Sequence, residues 1–232
     1  EFLKSQKDLT KIFILENILD QWICNNPLGY GDGWHSYTIS LRIRNWIWFF
    51  RVFPQLINQS RLQSLWLQIC WLYTHPEKCY GGNHWLENLT ALVVGSLQFE
   101  NKYSQKIYFD SISNLKFELD KQILNDGGHE ERTAAYHTLV VDRLVEVGFV
   151  IQKIKKERPK WLVENIVKMT NWLCLIRLNG KKIPPFNDSP LDICPSIDSV
   201  IQFAMSYINN NKNNLGGIRG LLSKSKREDL KN

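Results

Sequence analysis

The sequence predicts an all-α fold of about eight helices. Through nearly the whole chain, apolar residues recur at steps of three and four, the spacing of a helix face. Short breaks rich in Pro, Gly and Asn separate these stripes, so successive helices become antiparallel neighbours, as in bundles and toroids. Period-two alternation, which would mark strands, is scarce.

Each element has its own justification. Residues 9–22 carry Ile12, Leu15, Ile18, Leu19 and Trp22 on one stripe, and Asn25-Asn26-Pro27 stops them. Glycines between 29 and 33 make a loop. A second helix is expected over 36–53, where Pro54 breaks it. A third covers 59–73 and closes at His75-Pro76, before the Gly81-Gly82 turn. The fourth is expected from Asn83 to about residue 99, the fifth over 106–124, and Asp126-Gly127-Gly128 turns the chain again. The sixth is expected over 130–156, with Leu139, Val140, Leu144, Val147, Ile151 and Ile154 in register. Pro159 suits a first helical turn. Leu162, Ile166, Met169, Leu173 and Ile176 follow as a clean stripe, and after a loop over 180–190 a last helix covers 196–208. Residues 1–208 therefore read as one helical domain. The Asn-, Lys- and Gly-rich residues 209–232 read as a linker or disordered tail.

Composition narrows the function. At 232 residues and 44% apolar content, the chain can bury a sizeable core. Its most apolar stretch, 43–53, is interrupted by Arg44, Asn45 and Arg51, so no membrane span of ~18 apolar residues is expected. The chain begins at Glu1 with no recognisable signal peptide. The five scattered cysteines (Cys24, Cys70, Cys79, Cys174 and Cys194) form no CxxC pair. They indicate neither a disulfide framework nor a zinc site, and most are expected as small buried hydrophobes. One bridge from Cys70 or Cys79 stays open. A net charge of +6 favours an anionic partner, and nine tryptophans and eight tyrosines supply rings for sugars or for the core.

Three polar constellations stand out. In the first, residues 34–46, Tyr37, Ser40 and Arg44 share a helix face, and arginine offers a fork of donors suited to carboxylate or sulfate. The plainer reading is a solvated face with Trp46 and Trp48 in the core. The second, residues 81–88, gathers Asn83, His84, Glu87 and Asn88 on one face at a helix start, with Leu86, Leu89 and Val93 opposite. The plainer reading is capping by Asn83, with Glu87 in the first turn. The third, residues 126–137, launches Arg132, Thr133, Tyr136 and His137 from a glycine turn. A tyrosine beside a cation suits proton transfer, whereas a buried, hydrogen-bonded Tyr136 is the plainer reading. A weaker segment, Pro185-Phe186-Asn187-Asp188-Ser189, fits turn chemistry.

Taken in order, these segments resemble the heparinase II/III and alginate lyase superfamily, most strongly its helical N-terminal toroid. The matching residues are Ser40-Leu41-Arg42-Ile43-Arg44-Asn45-Trp46, Asn83-His84-Trp85-Leu86-Glu87, and residues 126–137 with Thr133 where serine is frequent. Phe186-Asn187-Asp188 recurs as well. The resemblance implies an incomplete (α/α) toroid, normally followed by a β-sandwich that is absent here and that usually supplies a further catalytic histidine. The isolated chain is therefore expected to act weakly or not at all. The implied activity is β-elimination on a uronic-acid-containing polysaccharide. Tyr136 is expected as acid, base or both, and Asn83 and His84 as neutralisers of the uronate carboxylate. Glu87 is expected to orient His84 or share in proton transfer. Tyr37, Arg42, Arg44, Trp85, Arg132 and His137 are expected to bind substrate, with Trp34 and Trp85 lining a sugar cleft. The partner is an acidic polysaccharide, no cofactor or metal is implied, and a periplasmic or extracellular setting is favoured.

Three other readings compete. A glycoside hydrolase on the same toroid would need two facing carboxyl groups, such as Glu87 with Asp126, Glu130 or Asp188. A non-catalytic module would only hold acidic polysaccharide. A nucleic-acid or protein-interaction domain has weak support: apart from residues 153–158 and 224–227 the cations are dispersed, and no nucleic-acid motif appears.

Overall fold

The computed structural model describes residues 9–79, 81–178, 183–187, 189 and 194–209. Among these the fold is all-helical: α1 (Leu9–Asn25), α2 (Ser36–Val52), α3 (Gln59–Thr74), α4 (Gly82–Ser96), α5 (Lys102–Gln122), α6 (Ala134–Ile154), α7 (Lys160–Ile176) and α8 (Ile197–Ile208). An isolated antiparallel bridge joins Ile123 and His129.

The helices form two layers. Even-numbered helices pack on one another in chain order, α2 on α4, α4 on α6 and α6 on α8, while α1 meets α3 and α5 meets α7. The inner position of α4 follows from its composition. Every residue from Trp85 to Ser96 is buried, and Gly95 lets α4 approach Ile43 of α2 and Ile69 of α3 closely. Helix α6 is buried almost as completely, whereas α5 and α7 keep a polar outer face. This is an incomplete helical toroid. Its inner helices start at one end, so their positive N-terminal poles and the loops before them gather there.

Several helix ends differ from expectation, each for a local reason. Helix α5 starts four residues early because Asn101 and Ser104 form a capping box: Ser104 N–H donates to Asn101 Oδ1 (2.8 Å) and Asn101 N–H to Ser104 Oγ (3.1 Å). Helix α6 starts at Ala134 instead of residue 130. Glu130 N–H is already given to Gln122 O (2.9 Å), and Arg132 has φ 53°, which interrupts a helix. The N-cap of α4 is Gly81, not Asn83. The cysteines also differ. None is disulfide-bonded; Cys24, Cys79 and Cys174 are exposed, and Cys70 and Cys194 are intermediate, because the helix faces carrying Cys24 and Cys174 point outward. Apart from Asn209, which caps α8, the expected tail lies outside the described residues, as do Asp188 and much of the 180–190 loop. No helix among the described residues is long and apolar enough to cross a membrane.

The glycine turn before α6 is tied to α7. Gly127 has φ 97°, and a Cβ there would stand 2.5 Å from the Lys168 carbonyl oxygen. Gly127→Ala therefore has neither the backbone conformation nor the space, and it should lower stability by about 2–4 kcal/mol in urea denaturation. An unchanged midpoint would show that the turn does not lock onto α7.

Candidate active site

At the end where the inner helices begin, a recess lies between α2, α4 and α6. Its lining includes Tyr37, Asn83, Glu87, Thr90, Leu139 and Arg143. Tyr37 stands at the start of α2 and stacks on His84, in the first turn of α4, with ring centroids 4.5 Å apart and planes at 29°. His84 Nδ1 is 3.2 Å from Glu77 Oε1, and His35 Nε2 is 3.6 Å from the same oxygen. Glu77 is itself fixed. Its N–H donates to Asn88 Oδ1 (2.8 Å), and Asn88 Nδ2 donates to Ser40 Oγ (3.0 Å). His84 Nδ1 faces the Glu77 carboxylate, and its Nε2 is directed away from it.

The start of α4 is held by a residue distant in sequence. Asn83 N–H donates to Glu131 Oε1 (2.6 Å), so a carboxylate meets the positive pole of the helix. Gly82 has φ 52°, a conformation that favours glycine, and a Cβ there would also displace that same oxygen. The start of α6 is likewise capped from afar: Ala135 N–H donates to Ser189 Oγ (2.9 Å), and Asn187 Nδ2 donates to Arg132 O (2.8 Å). Tyr136 is half-buried in the first turn of α6. Helical spacing puts it on the face of Leu139, Val140 and Arg143, one turn nearer the loop end than the recess.

Beneath this layer lies a buried ion network. Arg44 of α2 pairs with Glu87 of α4 (2.9 Å) and with Glu146 of α6. Arg143 Nε donates to both Glu87 oxygens (3.0 and 2.9 Å), and Arg143 Nη1 donates to Asp142 Oδ2 (2.7 Å). Burial opposes ionisation of Glu87, but Arg44 and Arg143 outweigh it and hold the carboxyl below its usual range. Burial likewise pulls the Arg44 guanidinium down, to about 10, which leaves it charged at neutral pH. Burial, then the negative charge of Glu87, pushes the Tyr37 phenol up, so it stays protonated and can donate to an anion.

The sequence model of the Heparinase II/III N-terminus family matches residues 8–214. The chain belongs to this family. It is 27% identical over 183 residues to a heparin-sulfate lyase of Pedobacter heparinus, covering 72% of the chain and 27% of that lyase. It is 26% identical over 192 residues to a heparin-sulfate lyase of Bacteroides thetaiotaomicron, covering 74% and 27%. The crystal structure of heparinase III superposes with a TM-score of 0.71 at 19% identity, over 92% of this chain and 35% of that one. A mutant heparan sulfate lyase from Pedobacter heparinus gives 0.64 at 22% identity, over 96% and 36%. The heparinase II/III-family chain thus spans about a quarter to a third of the length of these relatives.

Within this family fold, the structure brings Tyr37 and Asn83 to one small recess, with His84 stacked on Tyr37 beside it and Tyr136 on the adjoining face of α6. Other expected site residues are differently placed. Glu87 reaches the recess wall, but its carboxylate is bound with Arg44 and Arg143 in the buried ion network, so Glu87 does not orient His84; Glu77 does. Trp85 and Trp34 are buried core residues, and Trp34 packs on Trp22 and Trp71 instead of lining a cleft. Arg42 turns toward α1 and α3: its guanidinium sits 3.9 Å over the Trp22 ring, and Nε donates to Gln68 Oε1 (2.7 Å). His137 is 0% exposed; its Nε2 donates to Met169 O (3.0 Å) and its ring lies against Trp172. Arg132 is exposed at the loop. Glu77, Glu131 and Arg143 are the residues that sequence reasoning missed. Glu131 and Arg143 lie within or near polar segments, but Glu77 carries no motif of its own. Among the described residues, no group of three or more His, Cys, Asp or Glu is placed to hold a metal ion.

Two predictions follow from burial. Glu87→Gln would leave two buried guanidiniums short of charge, at a cost of about 3–5 kcal/mol in chemical denaturation; a loss under 1 kcal/mol would mean the network is dispensable. Burial also lowers His129 and His137 from about 6.5 to about 4. The unfolded chain therefore binds more protons than the folded one in that window. Stability present above pH ~6.5 should be lost as pH falls toward ~4, by up to about 3 kcal/mol for each histidine. Replacing His137 with Leu should flatten that acid limb in urea titrations, and an unaltered slope would count against it.

Proposed function

We propose that this chain is the helical, substrate-binding part of a polysaccharide lyase that cleaves uronic-acid-containing polysaccharide by β-elimination. The observation that carries the reading is the convergence of Asn83, His84 and the protonated Tyr37 at the positive pole of α4, with Tyr136 on the face beside them. The C5 proton of a uronate is a poor acid while its carboxylate is fully charged. Asn83 and His84 engage that carboxylate, so that charge developing in the enolate-like transition state is stabilised. Glu77 holds the His84 ring in place, and the Tyr37 hydroxyl donates to an anionic oxygen of the sugar. Tyr136 takes the C5 proton, protonates the departing glycosidic oxygen, or does both in turn. The C5–H electron pair becomes the C4=C5 double bond as the C4–O bond breaks, and the leaving oxygen gains a proton. Arg132, exposed at the loop, is placed to meet a further acidic group. The lyase names of the relatives support this reading, and the whole protein's activity and polymer belong to the proposal.

A hydrolase on the same toroid fits less well. Glu87 lines the recess but is held ionised between two arginines, and the Asp126 carboxylate accepts Gly128 N–H (2.9 Å) in its own turn. Neither is presented as a proton donor across a cleft.

The test is ultraviolet absorbance from unsaturated uronate, with this chain and its full-length parent assayed on heparan sulfate, alginate and hyaluronan. Tyr136→Phe should cut turnover by the parent at least ~100-fold, and Asn83→Ala should cut kcat more than it raises KM. Wild-type rates in both variants would sink the assignment. Saturable binding with no product from the parent would favour a non-catalytic module.

A further inference from the structure

The opposite end of the toroid carries a second surface of definite chemistry. There the C-terminus of α6 turns into α7 against the early turns of α5, forming an open groove. Tyr108, Phe109, Ile112, Lys155, Pro159 and Trp161 line it, with Glu157 and Arg158 at its edge. Tyr108 is buried and sets the floor, Phe109 is 58% exposed, and Trp161 is half-buried. Lys155 Nζ hangs over these rings, 5.0 Å from the Tyr108 centroid and 5.8 Å from that of Phe109. Arg158 anchors the edge: its Nη2 donates to the Tyr207 and Ile208 carbonyls (2.6 and 2.7 Å) at the C-terminus of α8. Residues 153–160 hold five cations, Lys153, Lys155, Lys156, Arg158 and Lys160, against one acid, Glu157.

We propose that this groove is a second binding surface for acidic polysaccharide, gripping the polymer away from the recess. A sugar ring presents an apolar C–H face that packs on an aromatic face, and its carboxylate or sulfate groups would meet Lys155 and the neighbouring lysines. Nucleic acid is the less favoured occupant. Strand binding uses several open stacking faces along a cationic track, whereas this groove offers one fully open ring, with Glu157 on its rim. Helix α6 spans Ala134–Ile154, or about 30 Å, so the two surfaces lie at opposite ends of the domain. Only a long chain can reach both, and a second grip raises its effective concentration at the first. The inference rests on the reading of this chain as polysaccharide-binding, and it adds a surface that the elimination chemistry does not use.

The test is calorimetric titration of the chain with long heparin and with a heparin disaccharide, comparing wild type, Phe109→Ala combined with Lys155→Ser, and Asn83→Ala. Both groove positions are at least partly exposed, and a thermal melt confirms that the double variant folds. The double variant should bind long heparin about tenfold more weakly, with a shallower salt dependence, and bind the disaccharide as wild type does. Unchanged affinity for long heparin, or no wild-type binding to it, overturns the groove. Equal loss of duplex DNA and heparin binding in the double variant overturns it as a glycan surface and leaves a general polyanion patch. Weakening by Asn83→Ala alone leaves the recess standing and removes the groove. Weakening by the double variant, in a protein whose full-length parent yields no unsaturated product, keeps the groove and removes the lyase reading.

Discussion

The Glu87 carboxylate, clasped by Arg44 and Arg143 in the interior, fixes the relative positions of three of the inner helices, α2, α4 and α6. Apolar packing alone would let α2, α4 and α6 turn or slide against one another at modest cost, since hydrophobic burial is not directional. A buried ion tolerates no such freedom: losing its partner by a small rotation leaves an uncompensated charge. Because Arg44, Glu87, Arg143 and Glu146 come from three different helices, their mutual ion pairing sets rotation and register together. Tyr37 lies two turns before Arg44, Asn83 one turn before Glu87, and Tyr136 two turns before Arg143. The placement of the recess side chains is therefore a consequence of the ion network beneath them.

Above that layer, the interactions become exchangeable. His84 and His35 both approach one oxygen of Glu77, and the stacked Tyr37–His84 pair sits where solvent can reach it. Side chains held by one or two hydrogen bonds at helix starts can exchange partners with a ligand. Those in the ion network cannot. The loops that complete this end are tied to one another by long-range hydrogen bonds, Glu131 to the start of α4 and Ser189 to the start of α6. Ordering the open end thus depends on segments far apart in sequence.

This division explains what the sequence disclosed. The helices were legible because each buries a continuous stripe, and periodicity reports a stripe directly. Helix starts were less legible where a cap came from elsewhere: Ser189 is 54 residues from the Ala135 N–H it accepts, and no local pattern announces that contact. The polar segments were legible as segments, but the depth of each residue was not. Arg44 and Tyr37 occupy the same face seven residues apart, yet one is buried and ion-paired and the other borders the recess. His137 follows Tyr136 directly and points into the core. One sequence cannot distinguish a polar residue satisfied inside from one presented outside when both stand at helical spacing, because the distinction lies in the partner helix.

The electrostatic setting also separates roles among the residues that reach the recess. Tyr37 lies over the Glu87 charge and is partly desolvated, and both effects raise its phenol above the ordinary range. A phenol held protonated is a good donor to an anionic substrate and a poor acceptor of a carbon-bound proton. Tyr136 belongs to the loop end of α6, one turn before Leu139 and Val140 and two turns before Arg143, which line the recess. In the elimination proposed above, Tyr37 would therefore hold the polymer, and proton exchange with C5 would be left to Tyr136.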